Sequence, residues 1–274
     1  MTSVRIMTFN INGNDLEIDS PERIWLTRAA PSINTIQRYS PDIIGFQEVV
    51  QGNLDVLQAH LVGYGFDIGL AYDEGEYTGY SSIFWKQARF ELIASGKFWF
   101  SRTPDVRSSD WGVPYPMGAT WVRLRDVQTG ALLLHLNTHF EDGPDGEQSR
   151  VESSKLLVAR AAYLAPDVPV IVTGDFNCNP WCEAYNIFLA GGFTDTYRAA
   201  GQADSVDSST FHGYRGKEYF SLEWGDALFW RVDWILTRNG GQRAQTVSST
   251  IVRDAEPALY PSDHYPVVSE IALL

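Results

Sequence analysis

The run Pro169-Val170-Ile171-Val172-Thr173 is continuous and apolar, and it ends abruptly in Gly174-Asp175-Phe176-Asn177. Residues two apart share one face of a strand, so Asp175 and Asn177 bring a carboxylate and an amide to the same side of a buried strand's exit. Comparable exits recur along the chain. Asn10 follows the first alternating stretch, and Glu48 closes Gly45-Phe46-Gln47-Glu48. Asn137 and His139 end Leu134-His135-Leu136-Asn137-Thr138-His139, Asp233 lies inside Arg231–Leu236, and Asp263-His264 precede the last strand. Carboxylates and amides bind hard divalent cations through oxygen, and imidazoles move protons near neutrality. Taken singly, each has a structural alternative. Glu48 reads equally as a helix N-terminal acid, Asn10 and Asp263 as turn residues, and His139 and His264 as hydrogen-bonded structural histidines. The repetition at one kind of place is the signal.

Rigid elements must position these groups. Val4 to Ile11 alternates and predicts a strand. Ser20-Pro21 predicts a helix start, with Ser as N-cap and Pro first; Trp25, Ala29, Ile33 and Ile36 follow at helical spacing, with Pro31 as a kink. Residues 41–49 predict a second buried strand, and 53–61 a short helix. Strands are expected over 66–72, 81–85, 90–100, 119–127 and 131–140, the last two joined by a Gln128-Thr129-Gly130 hairpin. A helix over 147–164 carries an apolar stripe, and another is expected over 180–189. Loop-rich segments cover 101–118 and 194–229, and strands at 231–238, 245–252 and 266–274 close the chain. Strand blocks bracketed by helices in both halves predict two packed mixed sheets with helices outside. That is a four-layer α/β sandwich in a single domain, residues 1–274. A doubly wound parallel sheet fits less well, because the middle block has too many hairpins.

The bulk composition narrows the partners. The formal charge is −13, from 34 acidic and 21 basic residues, and Lys occurs only at 86, 97, 155 and 217. Polyanion binders carry a basic footprint, so long duplex nucleic acid is disfavoured, whereas surplus carboxylates suit a cation site. No apolar run approaches the roughly 20 residues of a membrane helix. The N-terminus reads as a strand rather than a signal peptide, giving an expectation of a cytoplasmic protein. The two cysteines, Cys178 and Cys182, exclude a disulfide framework by count and read as free thiols beside a helix start.

The blocks Thr8-Phe9-Asn10, Gly45-Phe46-Gln47-Glu48, Asn137-Thr138-His139, Gly174-Asp175-Phe176-Asn177, Arg231-Val232-Asp233 and Ser262-Asp263-His264 appear in an order that resembles the endonuclease/exonuclease/phosphatase (DNase-I-like) superfamily. They span nearly the whole chain. Gly75-Glu76-Tyr77, residues 98–104 and Thr210-Phe211-His212-Gly213-Tyr214 look like a bacterial branch of it. The resemblance implies a DNase-I-like fold and a metal-dependent phosphoesterase. Glu48 would ligate Mg²⁺ or Mn²⁺, with Asn10 and Asp263 close by. His264, oriented by Asp233, would be general base on water, and Asp175 would position that water. Asn177 and His139 would donate to phosphoryl oxygens, with Asn137 behind them at the edge of the substrate site. One departure stands out. Relatives of this branch carry an Arg where Met117 stands, and Arg102 or Arg107 is expected to compensate.

Aromatic residues crowd the two loop-rich segments: Tyr72, Tyr77, Tyr80, Trp99, Trp111 and Tyr115 in one, Phe211, Tyr214, Tyr219, Trp224 and Trp230 in the other. Such faces stack on bases or cover a sugar or headgroup, so Trp99 and Tyr214 join Arg102 as expected substrate contacts. Trp85, Trp121 and Trp234 are expected in the core. The leading expectation is hydrolysis of a small phosphoester or short oligonucleotide. The alternatives are a DNA or RNA nuclease and, in a different class, an inactive binding protein.

Overall fold

Two parallel strand pairs form the middle of the molecule. In this computed structural model, which describes residues 3–13, 20–71, 79–218, 231–241, 243–254 and 259–274, β1 (Ser3–Asn10) runs parallel to β2 (Ile43–Gln47). In the second sheet β7 (Leu132–His139) runs parallel to β8 (Val170–Asp175). A parallel pair cannot be closed by a tight hairpin, and helices α1 (Trp25–Tyr39) and α3 (Glu147–Leu164) make the two crossovers.

Antiparallel neighbours complete each sheet. Flanking β1 and β2 are β12 (Val267–Leu273) and β11 (Ala244–Ile251) on one side, β4 (Ile83–Lys86) and β3 (Tyr64–Asp67) on the other. Flanking β7 and β8 are β6 (Gly118–Asp126) and β5 (Phe90–Trp99), then β10 (Asp233–Arg238) and β9 (Phe193–Asp195).

Period-two alternation sorts the side chains into layers. Met7, Phe9, Ile44 and Phe46 face outward beneath α1 and α2 (Gln51–His60). Leu134, Leu136, Val170 and Val172 face outward beneath α3 and α4 (Glu183–Ala190). Val4, Ile6, Ile43, Leu133, Ile171 and Ile235 meet between the sheets. The architecture is the four-layer α/β sandwich expected from the sequence. The inner layer changes character along the strands. Leu133 is followed on the same face by His135, Asn137 and His139, Ile171 by Thr173 and Asp175, and Ile6 by Thr8 and Asn10. The sheets are therefore bonded by apolar contact at one end and by polar groups at the other.

Local boundaries differ from the sequence reading where turns compete with helices. α1 begins at Trp25, with no side-chain cap, because the Ser20 carbonyl accepts the Arg23 N–H (2.9 Å) in a turn first. Pro31 sits inside α1 without ending it. α4 begins at Glu183 because the Asn179 carbonyl accepts the N–H groups of Trp181 and Cys182 (2.8 and 3.0 Å), so residues 180–182 are a turn. The expected loop from 194 holds α5 (Thr196–Ala199) and adjoins β9; both are too short to carry a period. Tyr72, Gly75-Glu76-Tyr77, Tyr219, Trp224 and Trp230 lie outside the described residues. Among the described residues no helix is long and apolar enough to cross a membrane.

Candidate active site

Strand direction gathers the polar tips. β1, β2, β7 and β8 all exit at one end of the sandwich, delivering Asn10, Glu48, His139 and Asp175. β10 and β12 are antiparallel to their neighbours, so their beginnings lie at that same end. Asp233 starts β10, and His264 precedes β12. Register makes the match close: Asp175 stands opposite His139 on one side and opposite Asp233 on the other.

Two overlapping groups result, sharing Asp175. In one, His264 Nδ1 is 2.9 Å from Asp233 Oδ2, while its Nε2 lies 3.6 Å from Asp175 Oδ2. In the other, His139 Nε2 lies 3.5 Å from Asp175 Oδ2 and 3.9 Å from Glu48 Oε1. Asn10 sits between the acids, its Nδ2 donating to Glu48 Oε1 (2.8 Å) and Asp175 Oδ2 (2.9 Å). Glu48, His139 and Asp175 offer ligand atoms within 4.8 Å of one another, as do Asp175, Asp233 and His264. These sets could hold a cation. Asn10 Oδ1, the atom expected to face a metal, instead accepts the Asn12 N–H (3.0 Å).

Asn177 closes the ring in a left-handed conformation (φ 47°). Its N–H donates to Asp175 Oδ1 (3.0 Å), a local Asx turn. Its Nδ2 donates to the Phe140 carbonyl (2.8 Å) and meets His139 Nε2 at 3.0 Å. Because the Phe140 carbonyl can only accept, the amide nitrogen must face it, and His139 Nε2 then takes the other hydrogen. Glu48 is also left-handed (φ 58°), and its carbonyl accepts the Gly13 N–H (3.0 Å). A Cβ on Gly13 would stand 2.1 Å from that carbonyl oxygen, so only glycine lets the two loops meet.

Charge is out of balance here. Burial alone would lower the His264 pKa, yet Asp233, then Asp175 and Asp263, outweigh it and hold the imidazolium well above the ordinary range. Withdrawal from water pushes the Glu48 carboxyl up; His139 pulls it back and Asp263 adds to the rise. Four carboxylates thus surround two imidazoles. Among the described residues, Asp233 Oδ1 is buried without a hydrogen-bond partner.

A buried polar plate under the pit fixes its floor. Asn137 belongs to this plate and not to the substrate surface, which corrects the sequence reading. It is fully buried, and its Nδ2 donates across to the Phe46 and Ser82 carbonyls (2.6 and 3.0 Å). Its Oδ1 accepts from Gln47 Nε2 (2.6 Å) and Thr173 Oγ1 (3.0 Å). Both ends of the amide are used in joining the sheets. The plate crowds Gly45, where a Cβ would lie 2.0 Å from Thr173 Oγ1.

The other expected substrate contacts separate. Tyr214 reaches the site: its hydroxyl accepts from Asn12 Nδ2 (3.2 Å), and Asp263 and Glu48 both act on its pKa, which burial already raises. Phe211 packs on the His264 ring (4.9 Å between centroids). Arg102 is mostly exposed and paired with Asp110 (2.9 Å). Trp99 is half-buried at the end of β5. Trp111 packs against the apolar cluster under α3, and Tyr115 donates to Glu141 (2.8 Å). Met117 is buried in that same cluster. Of the three tryptophans expected in the core, Trp85 and Trp234 are buried, whereas Trp121 is only partly buried, packed against the cluster under α3.

Arg28 escaped the sequence reading. It is buried on α1 and donates to the carbonyls of Ile11 (2.8 Å), Pro261 (2.9 Å) and Arg23, tying the β1 exit to the turn carrying Asp263. The available signal was an arginine three residues after Trp25, on the apolar stripe of its helix.

Residues 7–264 match the endonuclease/exonuclease/phosphatase family. An endonuclease/exonuclease/phosphatase from Bacteroides vulgatus superposes with a TM-score of 0.86 at 28% identity, covering 100% of both chains. A mannosyl-6-phosphatase from Bacteroides thetaiotaomicron superposes with a TM-score of 0.81 at 26% identity, covering 98% of this chain and 99% of that one. Among curated proteins, the CCR4-Not complex 3'-5'-exoribonuclease subunit Ccr4 of Emericella nidulans is 21% identical over 238 residues, 65% of this chain. The match spans 35% of that relative's own length.

Proposed function

We propose, from the premise that this chain belongs to the endonuclease/exonuclease/phosphatase family, that it is a divalent-metal-dependent phosphoesterase acting on a small or short-chain phosphoester through activated water. The observation that carries this reading is the Asp233–His264–Asp175 alignment beside Glu48. The donor set fits a hard cation: carboxylates in excess of imidazoles, one of them, Glu48, with its pKa already raised. Glu48 would hold Mg²⁺ or Mn²⁺, with Asn10 and Asp263 beside it and Asp175 and His139 within reach. The bound cation supplies charge neutralisation at a phosphoryl oxygen and the leaving oxygen.

The protein's own groups do the rest. Asp233 holds Nδ1 of His264, leaving Nε2 directed toward Asp175. Once His264 has given up the proton that the surrounding carboxylates favour, Nε2 would accept one from a water held by the Asp175 carboxylate, and the water oxygen would attack phosphorus as the ester oxygen leaves. Asn177 is placed to donate to a phosphoryl oxygen once its bond to His139 opens, the Phe140 carbonyl keeping its amide in position, and His139, whose Nε2 accepts from Asn177 here, would donate once that nitrogen carries a proton. One of the structural relatives covering nearly the whole chain is a mannosyl-6-phosphatase, which favours a small substrate, as does the net charge of −13. The exoribonuclease relative supports a second reading, a DNA or RNA nuclease.

The test is a panel with Mg²⁺ or Mn²⁺: p-nitrophenyl phosphate, bis-p-nitrophenyl phosphate, mannose 6-phosphate and a single-stranded oligonucleotide. Turnover of the small esters alone supports the leading reading, and oligonucleotide shortening supports the second. Failure on every substrate, with metal bound, would leave a binding protein.

A further inference from the structure

Asn177 is followed at once by Cys178, and Cys182 caps the next helix. The two sulfurs are hydrogen-bonded at 2.7 Å, not far beyond the roughly 2.05 Å of an S–S bond. Three residues separate them, and the intervening turn is held on the Asn179 carbonyl (2.8 and 3.0 Å) and on the Arg231 N–H, which donates to Asn179 Oδ1 (3.0 Å). The partners are therefore preset by the fold. They are also unequal. Cys178 is buried, whereas Cys182 is partly exposed beside the half-exposed Trp181. Cys182 Sγ accepts the Tyr185 N–H (3.4 Å) at the start of α4.

We propose that Cys178 and Cys182 form a redox-active dithiol, Cys182 attacking and Cys178 resolving, that converts to an intramolecular disulfide at the edge of the active site. The oxidant is a low-molecular-weight disulfide. The Cys182 thiolate attacks one of its sulfurs, giving a mixed disulfide and releasing one thiolate, which takes up the proton Cys182 lost. Cys178 then attacks the Cys182 sulfur, the second thiolate leaves, and it takes the Cys178 proton. The two cysteine sulfurs lose two electrons, and the oxidant becomes two thiols.

The local electrostatics support the division of labour. The Cys178 hydrogen bond lowers the Cys182 pKa against the opposing effect of burial, helped by the Tyr185 N–H and Arg150. Burial raises the Cys178 pKa well above its ordinary value. An attacking thiol needs thiolate character and access, and only Cys182 has both. The consequence reaches the pit through the chain itself. Asn177, whose side chain holds His139 Nε2, is the residue before Cys178 and sits at a left-handed φ of 47°. A covalent tie one residue on alters the torsions available to it. Oxidation is therefore expected to lower turnover, and a reductant to restore it.

The experiment incubates the intact protein with oxidised glutathione and reads intact mass and free thiols. Wild type is expected to lose about 2 Da and both thiols, reversibly with dithiothreitol. Cys178→Ser should stop at a stable glutathione adduct on Cys182. Cys182→Ser, which keeps a good N-cap, should stay unmodified. A wild type that remains reduced under excess oxidant, or a Cys182→Ser variant that is modified as fast as Cys178→Ser, overturns the proposal. These readouts do not depend on any hydrolytic activity, so they stand apart from the test of the phosphoesterase reading.

Discussion

Arg231 and Asp233 stand two residues apart at the head of β10, both 1% exposed, and they enter charge clusters of opposite kind. Arg231 lies between Asp195 (2.6 Å) and Asp204 (2.5 Å). Asp195 also accepts from the Tyr185 hydroxyl and the Tyr197 N–H (both 2.9 Å), and Asp204 from Arg198 Nε (2.6 Å). Burial works against the guanidinium, but the two aspartates outweigh it and raise its pKa further. Asp233, by contrast, has among the described residues a single imidazole partner and a buried oxygen without any. Its cluster holds more carboxylates than cations. A structural cluster closes on itself, because a buried charge without a partner is destabilising. A site that must receive a cation and a phosphoryl group keeps its donors and acceptors incompletely used.

The largest expected break in this contrast is chemical. EDTA is expected to abolish phosphoester turnover, with recovery on adding Mg²⁺ or Mn²⁺, while leaving the Arg231 cluster untouched. His264→Ala should lower kcat by about 10²–10⁴-fold, the usual range for a general base. Its urea midpoint should move far less than that of a variant in the closed cluster, and initial rates on bis-p-nitrophenyl phosphate with parallel unfolding curves check both. Equal loss of stability in the two clusters would end the distinction.

Arg231→Met removes the hub of the closed cluster and leaves Asp195 and Asp204 facing each other. It should cost about 3–5 kcal/mol of stability, read by urea denaturation, with turnover per folded molecule changed less than in His264→Ala.

A smaller effect concerns His135, buried in the plate below the open site, where burial lowers its pKa to about 3. The unfolded chain would titrate near 6.5. Between these values the unfolded state binds the extra proton, so this contribution is complete above about pH 6.5 and is lost as pH falls toward 3. His135→Gln, which can still donate to Thr173, should flatten the acid limb of stability against pH. Denaturation midpoints measured across that window decide it.

The smallest effect is expected at Arg102. Its pair with Asp110 is exposed, so Arg102→Ala should change stability by at most about 1 kcal/mol. A large rise in KM would show instead that Arg102 reaches substrate and does what Met117 cannot.

Much of this was legible in residues alone because the chain repeats one device. Apolar runs that stop in Asn10, Glu48, His139 and Asp175 declare buried strands with polar tips, and buried strands have few other ways to end. The helix over Glu147–Leu164 was legible for the same reason, since its stripe spans five turns. Short elements were not. β9 has three residues, too few to display a period, and the start of α4 depended on a turn around the Asn179 carbonyl. Asn137 looked like its neighbours His139 and Asn177, and nothing local distinguishes an amide facing a pit from one facing the other sheet.

The order and kind of the polar tips, the surplus of acids and the family were determined by the sequence itself, because period, spacing and composition are properties of the chain. Which tips share a pit was decided only by folding. Parallel strands carry their exits to one end, and antiparallel neighbours bring their beginnings there. Tertiary packing also separated Arg231 from Asp233, drew Arg28 under the site and set two sulfurs side by side, because contact between distant segments depends on sheet order and register, which no local pattern encodes.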